Sequence, residues 1–314
     1  MNEQAQPHGA DDAHAQRRML VGVLVLVLAG IILGFAPILV KLSDLGPQAI
    51  AFWRLLFSLP ALTIWLWLEE RRFTSRETLD KRALVLAGVF FAFDLAFWHA
   101  GIKITTAANA TLLANLTPIL VAVGAWALFS EKITARFLIA SAIALIGAVL
   151  LAAANISIAP ERLAGDILSA LTSAWYAAYI LAVRFARRYA SSSRIMLWTS
   201  AVAAPIALVI TLIFDEPFLP QSAAGWLPLL ALGLIVHIGG QGGLAFGLGR
   251  VPAALAALII LIQPVVAATL GWFLFGESLI AVQIFGAGLV LVGVYAAQRT
   301  SMRRRKRPPI AKNR

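Results

Sequence analysis

The chain has 314 residues, 61% of them hydrophobic and 13% charged, with a mean hydropathy of +0.85. That composition excludes a soluble globular domain, and the lack of cysteine excludes disulfide frameworks, thiolate metal sites and thiol catalysis. The net charge of +11 suits nucleic acid only if the basic residues lie on a soluble face, and they do not.

A helix needs ~20 apolar residues to cross ~30 Å of hydrocarbon. Ten such stretches follow one another, at 19–40, 48–68, 83–102, 107–129, 135–154, 163–183, 195–214, 225–248, 253–275 and 280–297. They are continuous apolar blocks rather than alternating ~10-residue segments, so the expected fold is an all-α membrane protein and not a barrel. Arg17 and Arg18 precede the first block in the manner of a signal peptide. The block is too long for a signal core, and it is taken as the first span. Residues 1–17 form a polar N-terminus and 298–314 a basic tail, with five-span units at 18–154 and 163–297 between them.

When the N-terminus and alternate connections are given to one side, that side holds 22 of the 26 Lys and Arg residues. Clusters at Arg71–Arg82, Arg184–Arg194 and Arg299–Arg314 account for most of them. This is the positive-inside asymmetry, which puts both termini in the cytoplasm of a multi-pass inner-membrane protein. The basic tail then reads as an anchor near anionic lipid, with no nucleic-acid partner.

The chain also repeats itself. At an offset of 146 residues, Pro118, Trp126, Phe129, Glu131 and Gly147 meet Pro264, Trp272, Phe275, Glu277 and Gly293. Weaker echoes pair Trp53 and Pro60 with Trp198 and Pro205. Each copy holds five spans, an odd number, so the second copy enters the membrane in the opposite sense. Two inverted halves with a site between them are a transporter signature.

The run Ala108–Pro118 followed by Phe129-Ser-Glu-Lys132, and its partner Leu261–Pro264 followed by Phe275-Gly-Glu-Ser278, resemble the EamA-type repeat of the drug/metabolite transporter superfamily. The resemblance covers roughly residues 20 to 297. It implies ten transmembrane helices in two inverted five-helix repeats, and export of small metabolites or amino acids. Gly34-Phe35-Ala36-Pro37 departs from the Trp-Ser/Gly pair common in amino-acid exporters, which weakens an aromatic amino-acid cargo.

An ionisable group in hydrocarbon costs on the order of 2.5–3.5 kcal/mol, so each one asks for a reason. Arg54 and Asp94 stand at matching depths in spans two and three, and an ion pair, direct or through water, is expected between them. It reads equally as a pin between helices or as a cavity-facing pair with Arg54 offered to a substrate carboxylate. Trp98 shares a face with Asp94, and His99 stands beside it. His99 reads first as a structural residue and second as a proton carrier. Span four places Thr111, Asn115 and Pro118 on one stripe, with Asn109 a turn outward. Pro118 and Pro264 are expected to bend both helices at mid-membrane, where paired breaks point to a midplane site. Span six carries Ser169, Thr172, Ser173, Tyr176 and Tyr179 on one face. Span eight has His237 and Gln241 four apart among Gly239, Gly240, Gly242, Gly243 and Gly247, and Gln263 stands beside Pro264. Glu131 and Glu277 come just ahead of spans five and ten, where a structural capping role at the helix N-terminus is expected.

The expected substrate-binding set is therefore Arg54, Asp94, Trp98, His99, Asn115, Tyr176, His237, Gln241 and Gln263. No catalytic residue, metal or cofactor is expected. An intramembrane enzyme or a channel is the alternative, but the chain has no His-Glu-x-x-His, Gly-x-Ser-x-Gly or phosphate-cradling loop. Spans five and ten are almost wholly apolar and are expected to face lipid or a partner chain, which leaves room for a homodimer. Cysteines introduced as Ala5→Cys and Ile310→Cys should react only with a membrane-impermeant thiol reagent applied from the cytoplasmic side. Labelling of either from outside would break the ten-span arrangement.

Overall fold

Inside a bilayer the backbone must bond to itself, and a helix does this within one segment. The computed structural model describes residues 8–72, 81–105, 113–152, 160–276 and 279–305, and among these the regular structure is entirely helical. In chain order the helices are α1 (His8–Leu33), α2 (Ala36–Lys41), α3 (Pro47–Arg72), α4 (Lys81–Ile104) and α5 (Thr117–Phe129). They continue with α6 (Ala135–Ala152), α7 (Leu163–Ala186), α8 (Ser192–Ile213) and α9 (Trp226–Ala231). A π-helical segment, Leu232–Gln241, then leads into α10 (Gly242–Leu248), followed by α11 (Ala253–Ile259), α12 (Ile262–Phe275) and α13 (Ala281–Arg305).

Nine helical stretches among the described residues are long and apolar enough to cross a membrane. The tenth expected span, 107–129, is represented by the shorter apolar helix α5, and residues 106–112 lie outside the described ones.

Three spans are interrupted, and in spans four and nine the interruption is a full break where a bend was expected. A turn at Gly34–Phe35 separates α1 from α2, one at Asn115–Leu116 precedes α5, and one at Ile260–Leu261 separates α11 from α12. Each break keeps its backbone bonded by tightening: Phe35 N donates to Ile32 O at 3.2 Å, Leu116 N to Leu113 O at 3.2 Å, and Leu261 N to Leu258 O at 3.1 Å. Pro118 is therefore in the first turn of α5, and Pro264 is the third residue of α12. A missing N–H costs little there, because the first amides of a helix have no partner within it.

The breaks in α1–α2 and α11–α12 lie against each other. A β-carbon at Gly34 would stand 2.5 Å from Val266 Cβ and 3.0 Å from Gln263 O, so only glycine admits this approach. The glycines of the eighth span do similar work against α1, with Gly240 on Leu33, Gly243 on Ala29 and Gly247 on Leu26.

Contacts sort the helix ends into two sets. Glu131 after α5, Arg184 in α7, Leu248 at the end of α10 and Ala253 at the start of α11 meet at one end. The other end joins Thr105 to Asp166 at 2.5 Å, Gln48 N to Glu216 at 2.9 Å, and Gln283 Nε2 to Leu151 O at 3.1 Å.

Spans five and ten, expected to face lipid or a partner, also face each other. Helices α6 and α13 pack on each other along one face, with Ala140, Ala144, Ala148, Val290, Val294 and Ala297 buried. Only the opposite face is exposed, at Ile146, Val149, Ile284, Phe285 and Val292. The contact is self-similar. Gly147 meets Gly286 and Val290, while Gly293 meets Ala140 and Ala144, the same pairs with the two copies exchanged at the 146-residue offset. A β-carbon at Gly147 would be 2.6 Å from Gly286 O, and one at Gly286 would be 2.7 Å from Gly147 O. Backbone cannot retreat as a side chain can. Gly147→Ala and Gly286→Ala should each destabilise the protein by about 1–3 kcal/mol, read as a lower melting temperature in detergent. Gly288→Ala on the same helix, where nothing lies within 4 Å of the added carbon, should be near neutral. Equal melting temperatures for all three would refute this packing.

Candidate functional site

The polar residues inside the bundle gather mainly where α3, α4, α7, α8 and the π segment meet. Close approach makes that gathering possible. Gly88 of α4 would clash with Val202 and Thr199 of α8 if it bore a β-carbon, and Gly101 with Ser169 of α7. Gly233 at the start of the π segment sits against Arg54 O and Phe57 of α3.

Arg54 and Asp94 are both buried, at 6% and 8% exposure. Each lies in the electrostatic field of the other, and Arg54 also in that of Tyr176, Tyr179 and His237. Among the described residues the two do not close to an ion pair within 4 Å, as Arg184 with Glu131 and Arg194 with Glu70 do. Of the two forms expected, direct or through water, the direct contact is not made, and the opposite charges are held near each other.

Tyr176 and Tyr179 stack at 5.8 Å between ring centroids, and Phe91 packs against both Tyr179 at 4.8 Å and His237 at 5.5 Å. Nε2 of His237 shares a hydrogen bond of 2.8 Å with Ser200 Oγ, which also receives one of 3.5 Å from Ser58. Gln241 Nε2 donates to Tyr176 Oη at 3.5 Å. Among the described residues Arg54 Nε, His237 Nδ1, Gln241 Oε1 and Thr199 Oγ1 are buried with no hydrogen-bond partner. Each such atom costs about 1–3 kcal/mol unless something satisfies it. Arg54, His237 and Gln241 belong to this one cluster.

Five of the expected residues thus come together: Arg54, Asp94, Tyr176, His237 and Gln241. Trp98 is half-buried and faces the buried His99 at 5.0 Å, just over a turn along α4 from Asp94. Asn115 and Gln263 are half-buried at the breaks before α5 and α12. The face of α7 divides. Ser169, Thr172 and Ser173 bond to their own helix at Gly165, Leu168 and Ala170 and pack against neighbours, while Tyr176 and Tyr179 reach the cluster. Thr111, Asn109 and Glu277 lie outside the described residues.

Glu131 receives hydrogen bonds from Ala253 N at 3.0 Å and Ala254 N at 3.5 Å, the first amides of α11. The helix that follows Glu131 is capped instead by Thr134, whose Oγ1 accepts from Phe137 N at 3.2 Å.

Sequence reasoning missed Ser200 and Thr199. The spacing that aligns Trp53 with Trp198 also aligns Arg54 with Thr199 and Leu55 with Ser200, a signal available from the repeat. It missed the π segment too. Such wide turns are rare and frequent at functional sites, and this one carries both His237 and Gln241.

A crystal structure with 20% sequence identity superposes on this chain with a TM-score of 0.75, covering 91% of this chain and 98% of that one, so the two share a fold. A protein of Archaeoglobus fulgidus described as an uncharacterized transporter is 25% identical over 283 residues, covering 90% of this chain and 98% of its own. An uncharacterized transporter of Bacillus subtilis is 28% identical over 262 residues, 79% of this chain and 83% of its own. The EamA-like transporter family matches twice, over residues 20–153 and 163–297, and the protein belongs to that family.

Proposed function

We propose that this chain is a secondary transporter that exports a small metabolite or amino acid by alternating access between two inverted five-helix repeats. The observation that carries this reading is the buried cluster. Arg54 and Asp94 stand unpaired across it, with Arg54 Nε, His237 Nδ1 and Gln241 Oε1 lacking partners. Groups left open suit a cargo that arrives and leaves, its carboxylate taken by Arg54 and its cationic group by Asp94. The stacked tyrosines and Phe91 supply an apolar wall. Inversion is supported by the two sets of helix ends, since repeat one starts at the end where Glu131 and Arg184 meet and repeat two at the end where Asp166 and Thr105 meet.

The termini then lie in the cytoplasm of the plasma membrane, by the placement of basic residues. The exposed apolar face of α6 and α13 is turned to lipid or to a second copy.

Comparison of metabolites in cells with and without the gene identifies the cargo, and its counterflow in proteoliposomes tests the reading. Tyr176→Ala and Asn115→Leu should lower counterflow at least about tenfold, one 1.4 kcal/mol step, with little change in melting temperature. The exchanged pair Arg54→Asp with Asp94→Arg should fold without transporting. Counterflow at the native rate in Tyr176→Ala and in the exchanged pair removes the cluster from the cargo path, and in Asn115→Leu it removes the break before α5. Catalytic turnover of a metabolite by the purified protein would favour an intramembrane enzyme.

A further inference from the structure

At the end of the bundle that holds Glu131, one carboxylate bridges the two repeats. Glu131 follows α5 in the first repeat, and its oxygens accept from the backbone amides of Ala253 and Ala254 in the second. Arg184 Nη2 stands 3.6 Å from Glu131 Oε1, while Arg184 Nη1 donates to Leu248 O, the last residue of α10. The pair is matched to what it touches. The carboxylate meets the positive N-terminal end of α11, and the guanidinium meets the carbonyl end of α10. Side-chain exposure of 13% for Glu131 and 27% for Arg184 keeps much of the water away. Charge-assisted bonds of this kind are about twice as strong as neutral ones.

We infer that Glu131 is a gating latch, which holds this end of the bundle shut by tying the first repeat to the first amides of α11. The assignment rests on the carrier reading, in which this end is cytoplasmic and must part for cargo to enter. Opening it separates Glu131 from Ala253 and Ala254, and it leaves a desolvated carboxylate and two amides to find water. That differential stabilises the closed state and sets its population. The bond crosses from one repeat to the other, so it resists relative motion of the halves. A cap on α6, the helix that follows Glu131, would not.

The chain contains no cysteine, which permits a direct test. A single Tyr176→Cys reports access to the cluster, and a membrane-impermeant maleimide is the probe. It is applied to right-side-out vesicles or to inverted ones. With Glu131 intact, labelling from the cytoplasmic face should be slow. Glu131→Ala should speed it about tenfold or more. Glu131→Gln keeps an acceptor for the amides but loses the attraction to Arg184, so it should fall between. Glu277→Gln, the repeat equivalent in sequence, should not speed it. The exchange Glu131→Arg with Arg184→Glu should stay fast, because a guanidinium cannot accept from amides, whereas a simple ion pair would be restored. Melting temperatures in detergent identify the folded variants, and the isosteric Glu131→Gln remains informative if the alanine variant does not fold.

Unchanged cytoplasmic labelling in Glu131→Ala and Glu131→Gln, with the cysteine reactive from the other face, overturns the latch alone. Recovery of slow labelling in the exchanged pair also overturns it. A cysteine that no variant labels from either face overturns the carrier reading itself.

Discussion

Backbone that leaves the helix inside a hydrocarbon layer has no water to bond to, so it must find partners in itself or in protein. Among the described residues, the three broken spans obey that constraint. The breaks at Gly34–Phe35, Asn115–Leu116 and Ile260–Leu261 keep their amides on carbonyls three residues back. The last of them is also buried, with Ile260 at 6% and Leu261 at 3% exposure. The break in α1–α2 is pressed against it, and that approach is open only because residue 34 is a glycine. Much of the architecture follows. Irregular spans are drawn inward to one another, and the uninterrupted α6 and α13 are left with one face for each other and one exposed.

The same economy governs charge. A cation and an anion within the apolar layer are tolerable when each feels the other, and Arg54 and Asp94 do. They stop short of contact, however, and the surrounding His237 and Gln241 retain polar atoms with unused capacity. A core selected only for stability would close such bonds, because an orphaned buried polar atom costs more than a satisfied one contributes. The open cluster is the surface proposed for cargo, while Ser169, Thr172 and Ser173 of α7 bond to their own helix.

Glu131 illustrates how the repeat is used twice for different ends. Its sequence position next to α6 suggests a local cap, yet Thr134 serves there and Glu131 reaches across to Ala253 and Ala254. A carboxylate bonds to whichever unpaired amides are nearest in space, and chain proximity does not decide that. The contact of Gly147 with Gly286, mirrored by Gly293 with Ala140, is the complementary case. Here the duplication is carried into packing as a self-matching seam between α6 and α13.

Composition and local pattern determined on their own that the chain is helical and membrane-spanning, because the length of an apolar block and the requirement for internal backbone bonds leave no other form. The offset of 146 residues determined the two repeats and marked Pro118 and Pro264 as equivalent interruptions. The cost of burying charge singled out Arg54, Asp94 and His237 before any contact was known. Only the tertiary structure decided that Arg54 and Asp94 remain open, that Ser200 rather than a carboxylate meets His237, that the helix through His237 and Gln241 is widened to a π form, and that α6 and α13 cover each other. Those outcomes depend on distances between helices, and interhelical distance is set by where glycines let two backbones approach, a property of pairs of segments that no single segment carries.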